Sequence, residues 1–372
     1  MSQAKVRIAL LFGGRSGEHA ISAATAAGVL KAIDRDKYDV IPVGITRDGR
    51  WVVASDDPEL WELRSGRLAE VTAASGSEVV LAASSDGPQL QVLEAGSVPA
   101  ALSQVDVVFP VLHGPFGEDG TVQGLLELAD VRYVGSGVLA SAVGMDKHYM
   151  KVVFAAHGLP VGPYAVVTPR DWSHRREDVL TRVKELQLPV FVKPARAGSS
   201  LGVTRVEDLA DLERAIEDAQ VHDPKVLVEE GLAGREIEVA VLGGRGDGPP
   251  RASVPGEIVV DHASHAFYDF EAKYIEEGPA RLEIPADLPP AVSERVRDLG
   301  IRAFEAIGAE GIARVDTFVT PDGEVTLNEI NTMPGFTPIS MYPKLWEASG
   351  LSYPDLIDEL VQLALERPTG LR

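Results

Sequence analysis

Apolar residues fall in short continuous runs separated by polar, glycine-rich or alanine-rich stretches. Val6 to Phe12 is such a run; it ends in Gly13-Gly14 and is followed by the alanine-rich stretch Ile21 to Ile33. An unbroken apolar run predicts a strand buried on both faces, so this opening reads as strand, tight loop, helix. Val40 to Ile45 is a second buried strand before a turn at Thr46 to Arg50, and Val105 to Leu112 is a third. Together they predict an open α/β sheet. Residues 55 to 100 are rich in Ser, Gly, Ala and charge, with a hairpin around Val79 to Val92 and no assigned chemistry.

A new unit begins near Val143, because Asp146 to His157 has a helical pattern and Leu159 restarts extended chain. Val190 to Lys193 is a strand opening a glycine loop from Ala195 to Gly202, then an amphipathic helix over 207–219 and a strand from Val226 to Glu230. Strands over 236–242 and 257–260 follow, and Pro290 to Ile307 is a helix. Residues 261–281 mix Asp, His, Tyr, Lys and Gly without a period, which predicts a long functional loop.

Two strands joined by a turn at Pro321 to Gly323 carry carboxylates at fixed spacing. Glu329 and Asn331 are two apart and share one strand face, and the hairpin can bring Asp316 alongside. Three hard oxygen donors beside Arg314 suit one or two Mg2+ ions that also hold nucleotide phosphates. Lys193, at a strand end before Gly198 to Gly202, adds positive charge to a loop whose backbone N–H groups can converge on phosphate. It is not a Walker A loop, since the lysine precedes the glycines. Gly13 to His19 enters a helix but lacks the G-x-G-x-x-G spacing, which disfavours a dinucleotide dehydrogenase. Glu18 there could bind a substrate ammonium or stabilise the helix start. His113 lies at a strand end, where open α/β sheets bind ligands, and Tyr268 to Tyr274 could form a water-excluding lid or a plain surface loop.

Composition narrows the function further. The 372 residues suggest two or three domains, and a formal net charge of -21 argues against nucleic-acid or anionic-membrane partners. The absence of cysteine excludes disulfides, thiolate metal sites and cysteine nucleophiles. The first apolar run is too short for a signal peptide or membrane span, so a cytoplasmic location is expected.

Taken in order, Gly13 to His19, Val111 to Thr121, Met145-Asp-Lys147, Val192-Lys193-Pro, Gly198-Ser199-Ser200, Tyr268 to Tyr274, Arg314-Val-Asp316 and Asn328 to Gly335 closely resemble the D-alanine:D-alanine ligases. The likeness runs from residue 6 to about 365 and leaves out mainly 55–100. It implies the ATP-grasp fold: an N-terminal open parallel α/β domain over 1–142 and two α+β lobes, 143–236 and 237–372, that clasp ATP. It also implies a homodimer that makes D-alanyl-D-alanine for peptidoglycan.

The resemblance further implies individual roles. Lys147 and Lys193 would contact ATP phosphates, with Ser200 in the loop folding over them. Glu229 and the backbone near Leu232 would hold adenine, and Glu236 the ribose. Asp316, Glu329 and Asn331 would bind two Mg2+ ions, with Mn2+ as a substitute. Arg314 and the Gly335 N–H would stabilise a tetrahedral oxyanion. Glu18 would hold the first ammonium, a Glu18, Ser199, Tyr274 hydrogen-bond chain would tie the N-terminal domain to the closed lid, His113 would lie near the first D-alanine, and Ser340 and Lys273 would bind the second carboxylate. Lys273-Tyr274 looks like the dipeptide-forming type, whereas ligases that use D-lactate differ in this loop. The alternatives are a D-alanine:D-lactate or D-alanine:D-serine ligase, or a nucleotide-binding regulatory protein. Departures at Gly17, Thr25 and Ala197 touch loop detail and not the metal or phosphate ligands.

Overall fold

The computed structural model describes residues 4–63, 68–82, 87–93, 100–198, 200–260 and 280–369. The first sheet runs in the order Trp51–Val53, Tyr38–Ile45, Val6–Gly13, Val107–Pro110, Arg132–Tyr133. Its pairings are parallel except at the Trp51–Val53 edge. Its apolar runs serve two cores. Ile8, Leu10 and Phe12 pack with helix His19–Ala32 and the C-terminal helices Met341–Ala348 and Tyr353–Glu366. Ala9 and Leu11 pack on the other side with helix Thr121–Leu128 and a small sheet of Val79–Ala82, Gln89–Val92 and Ala100–Gln104. The hairpin expected there is present with a third strand added.

Strand order reverses between Val6–Gly13 and Val107–Pro110, so the loops beyond their carboxyl ends leave a crevice. Ser16 Oγ donates to the His113 carbonyl at 2.6 Å across it. Helix His19–Ala32 lies so close to the 337–340 segment that a Cβ on Gly28 would stand 2.9 Å from Pro338.

A second sheet, wholly antiparallel, orders Thr204–Val206, Val190–Pro194, Val226–Glu230 and Tyr164–Val167 beneath helices Arg176–Val183 and Leu212–Gln220. The helix expected over 207–219 starts later than its apolar period suggests. Asp208 accepts from the Ala210 N–H and caps a 3-10 turn, Leu209–Asp211, before the α-helix begins.

The third sheet orders Ala280–Glu283, Gly256–Val260, Arg235–Leu242, Ile312–Val319 and Val325–Asn331, with Arg251–Ala252 beside Arg235–Leu242. Ile237, Val239, Val241, Ala313 and Val315 pack under helix Pro290–Ala306. The period of two turns Glu236, Glu238, Arg314 and Asp316 to the opposite face. Val325 and Leu327 also join the helix-packed core, and strict alternation would send Glu329 and Asn331 after them. A bulge prevents this. Asp316 pairs with Glu329 but Thr317 with Leu327, so Asn328 is an extra residue; Ile330 takes the core position and Glu329 and Asn331 turn to the charged face.

The expected divisions at 142/143 and 236/237 fall inside helix Val138–Met145 and strand Arg235–Leu242. Among the described residues, no helix is long and apolar enough to cross a membrane.

Because the bulge places Ile330 under the helix, Ile330→Asp should lower the unfolding free energy by about 3 kcal/mol or more, the scale of a buried unpaired charge. Urea denaturation reads this, and an unchanged midpoint would rule it out.

Candidate active site

A cavity of about 260 Å³ opens between the second sheet and the charged face of the third, lined by Lys147, Lys193, Ser200, Glu229, Leu232, Glu236, Asp316 and Glu329. One helix and five strands deliver the charged groups. Lys147 opens helix Lys147–Ala156, whose N-cap Asp146 accepts from the His148 and Tyr149 N–H groups. Lys193 and Glu229 stand on neighbouring strands of the second sheet, while Glu236, Asp316 and Glu329 stand on the third. Leu232, Phe191 and Phe318 supply an apolar wall.

The buried charges are cross-paired. Lys147 Nζ lies 3.2 Å from Glu329 Oε2, and Lys193 is ion-paired with Glu229, which Lys151 also approaches to 3.2 Å. Arg314 grips Asp316 with two bonds of 2.7 Å and has Nε 3.2 Å from Glu238. Burial opposes the Arg314 charge, but Asp316 and Glu238 outweigh it and hold the guanidinium well above its ordinary value. Burial likewise opposes the Lys147 charge, and Glu329 reverses the balance and raises it. At Glu229 burial favours the neutral acid, yet Lys193 and Lys151 prevail and keep the carboxylate below its ordinary range.

The glycine loop is anchored at its start, where the Arg196 guanidinium holds Asp223 at 2.9 and 2.7 Å. Lys147 Nζ donates to the Ala197 carbonyl at 3.0 Å, and Ser200 sits at φ 57°. A Cβ on Gly198 would stand 3.3 Å from Glu18 Oε2, so the loop meets the first helix of the N-terminal sheet. Ser199, Lys273 and Tyr274 lie outside the described residues.

The remaining expected residues gather around the crevice of the first sheet and the segment after Asn331. His113 is buried, with Nδ1 3.2 Å from the Met333 carbonyl and Nε2 3.4 Å from Thr25 Oγ1; burial lowers its pKa against the raising effect of Glu18. Asn331 Oδ1 accepts from the Met333 N–H at 2.9 Å, which shapes the turn leading to buried Gly335. Ser340 precedes helix Met341–Ala348 with its Oγ 2.7 Å from Thr337 Oγ1.

Family models described as D-ala D-ala ligase N-terminus and D-ala D-ala ligase C-terminus match residues 7–136 and 153–362. A D-alanine--D-alanine ligase of Paenarthrobacter aurescens is 61% identical over 366 residues, covering 98% of this chain and 97% of that protein. The chain belongs to the D-alanine–D-alanine ligase family. Among solved structures, the D-alanine-D-alanine ligase from Coxiella burnetii is similar with a TM-score of 0.81 and 38% identity, covering 98% of this chain and 94% of that one. VanG D-Ala:D-Ser ligase from Enterococcus faecalis is similar with a TM-score of 0.81 and 33% identity, covering 97% and 100%. These neighbours carry the expected ATP-grasp architecture.

For the ligase family a divalent ion is implied, and the donor set suits one. Asp316 and Glu329 are directly opposed across two strands with Asn331 on the next rung, which gives two carboxylates and an amide oxygen on one face. Among the described residues no group of three or more His, Cys, Asp or Glu could hold a metal, so such an ion would complete its shell with non-protein oxygens, as Mg2+ commonly does.

Three groups, two of them buried and Glu118 half-buried, escaped the sequence reading. Lys151 stands one helical turn from Lys147, and Glu238 two residues from Glu236 on one strand face; those spacings were the available signals. Glu118 lies within the His113 to Gly120 segment and accepts from the Gly114 N–H at 2.6 Å. Burial, then the nearby Glu18, pushes its carboxyl up to about 8.

Between the ordinary carboxylate value and about 8 the unfolded chain releases the Glu118 proton while the native protein keeps it, so this group makes stability fall as pH rises through that window. Glu118→Gln should therefore lose less Tm than the parent between pH 5 and pH 9. Parallel Tm curves for the two proteins would contradict the protonated form.

Proposed function

We propose that this chain joins two D-alanines into D-alanyl-D-alanine, a peptidoglycan precursor, while ATP becomes ADP and phosphate. The observation that carries the reading is Arg314, Asp316, Glu329 and Asn331 on adjacent rungs of one sheet face, with Lys147 and Lys193 lining the same cavity as the two carboxylates. Full-length identity of 61% to a relative named for this reaction supports it. The likeness to a D-Ala:D-Ser ligase has the same TM-score as that to a D-alanine-D-alanine ligase, so the fold alone does not choose the second substrate.

In this reading the adenine lies against Leu232 and Glu229, Glu236 takes the ribose hydroxyls, and Lys147, Lys193 and Ser200 take phosphate oxygens. Asp316, Glu329 and Asn331 would hold Mg2+, two ions in all, whose charge would offset that of the transferring phosphoryl group. Glu18 holds the first D-alanine by its ammonium, a hydrogen-bond chain of Glu18, Ser199 and Tyr274 ties the N-terminal domain to the lid, and His113 lies beside that D-alanine. A carboxylate oxygen of that D-alanine attacks the γ-phosphorus and ADP leaves, giving an acyl phosphate. The amine of the second D-alanine, held through its carboxylate by Ser340 and Lys273, attacks the acyl carbon after losing a proton. Arg314 and the Gly335 N–H steady the tetrahedral oxyanion until phosphate departs. A three-part division of the chain, a homodimer and a cytoplasmic setting belong to the same reading.

Phosphate release with ATP, Mg2+ and D-alanine, with product masses read under equal D-serine or D-lactate, tests it. Mainly D-alanyl-D-alanine is expected; mixed products overturn the specificity, and no D-alanine-dependent release overturns the reaction. Glu329→Gln should release phosphate more than about 100-fold more slowly while keeping a native circular dichroism spectrum. Parental turnover in that variant would place the metal elsewhere.

A further inference from the structure

Arg314 has two carboxylate partners, and only one of them is assigned to the cation. Asp316 holds it bidentately, with Nε and Nη2 each 2.7 Å from an oxygen. Both Asp316 oxygens are thus committed to the guanidinium, and a divalent ion must take at least one. Glu238 faces Asp316 across the neighbouring antiparallel strand, diagonal to Arg314, with Oε2 3.2 Å from the same Nε. Its side chain is only 3% exposed, and it lines the cavity with Asp316 and Glu329. An arginine left without a carboxylate beside a divalent ion would carry an uncompensated buried charge.

We propose that Glu238 is a positioning residue that takes over Arg314 when Asp316 turns to the metal, keeping the guanidinium in place over the reacting carbonyl. The carboxylate row Glu238, Asp316, Glu329 across three strands then divides its work: Glu238 keeps the guanidinium, while Asp316 and Glu329 exchange Arg314 and Lys147 for the metal. Glu238 acts through Arg314 and touches no reacting atom. The inference rests on the metal reading of Asp316, Glu329 and Asn331.

The test is Mn2+ binding to the full chain with ADP, followed by electron paramagnetic resonance in the parent, Glu238→Gln, Arg314→Met and the double variant. With Glu238 gone, Arg314 leans wholly on Asp316 and competes with the ion, so the Mn2+ Kd should rise about tenfold, equivalent to ~1.4 kcal/mol. In the Arg314→Met background the same substitution should change Kd less than twofold. An undiminished effect in that background means that Glu238 acts on the ion directly and overturns the proposal, as does an unchanged Kd in the single variant. Failure of the parent to bind Mn2+ overturns the metal reading first. A second measurement needs no variant: the 15N-labelled Arg314 Nε–H should stay slow to exchange when Mg2+ and ADP are added to the parent. Rapid exchange on that addition would show that no carboxylate takes the guanidinium over.

Discussion

Side chains on a strand alternate with a period of two, so a strand that serves a hydrophobic core on one face and a charged cavity on the other depends on register. Strands Arg235–Leu242 and Ile312–Val319 satisfy this by plain alternation. Val325–Asn331 does not: its core residues Val325, Leu327 and Ile330 are out of step, and Asn328 absorbs the mismatch. Glu329 and Asn331 keep the charged face because the bulge takes Asn328 out of the alternation. The helix Pro290–Ala306 enforces the result, because it packs on the apolar side chains of the sheet beneath it and would leave a carboxylate there without a partner.

A second constraint follows from burying so many charges together. Lys147 pairs with Glu329, Lys193 with Glu229, and Arg314 with Asp316. Each pair joins a group suited to a phosphate or an oxyanion with one suited to a cation or a base. The cavity is thereby folded and compensated before any ligand arrives. Binding becomes an exchange of partners within a prepared frame, and the additional groups Lys151 and Glu238 keep the frame neutral during the exchange.

Much of this was legible in the residues. Continuous apolar runs marked the parallel strands, the turn at Pro321 to Gly323 marked the hairpin, and the spacing of Glu329 and Asn331 put both on one face. The face was right although the alternation behind it is broken, because the bulge lies before both residues. Nothing in Asn328 itself announces a bulge, since that residue is ordinary in a strand end or a turn. The return of helices Met341–Ala348 and Tyr353–Glu366 to the first sheet was also hidden, because apolar period shows that a helix buries a stripe and not which sheet receives it. Glu238 and Lys151 were overlooked for a different reason: their spacing to assigned neighbours was visible, but burial decides whether such a charge matters.

The cross-pairing has a kinetic side as well. A formal net charge of -21 surrounds the cavity with a field that repels a polyphosphate, and the cations inside are already compensated, so little positive potential reaches outward. Attraction begins only within a screening length, about 8 Å at physiological ionic strength. Nucleotide encounter is therefore set against the long-range field, and added salt should quicken it, the reverse of what a basic nucleotide cradle shows. Speed of capture then depends on how readily the lysines let go of their glutamates, a local event that surface charge does not govern.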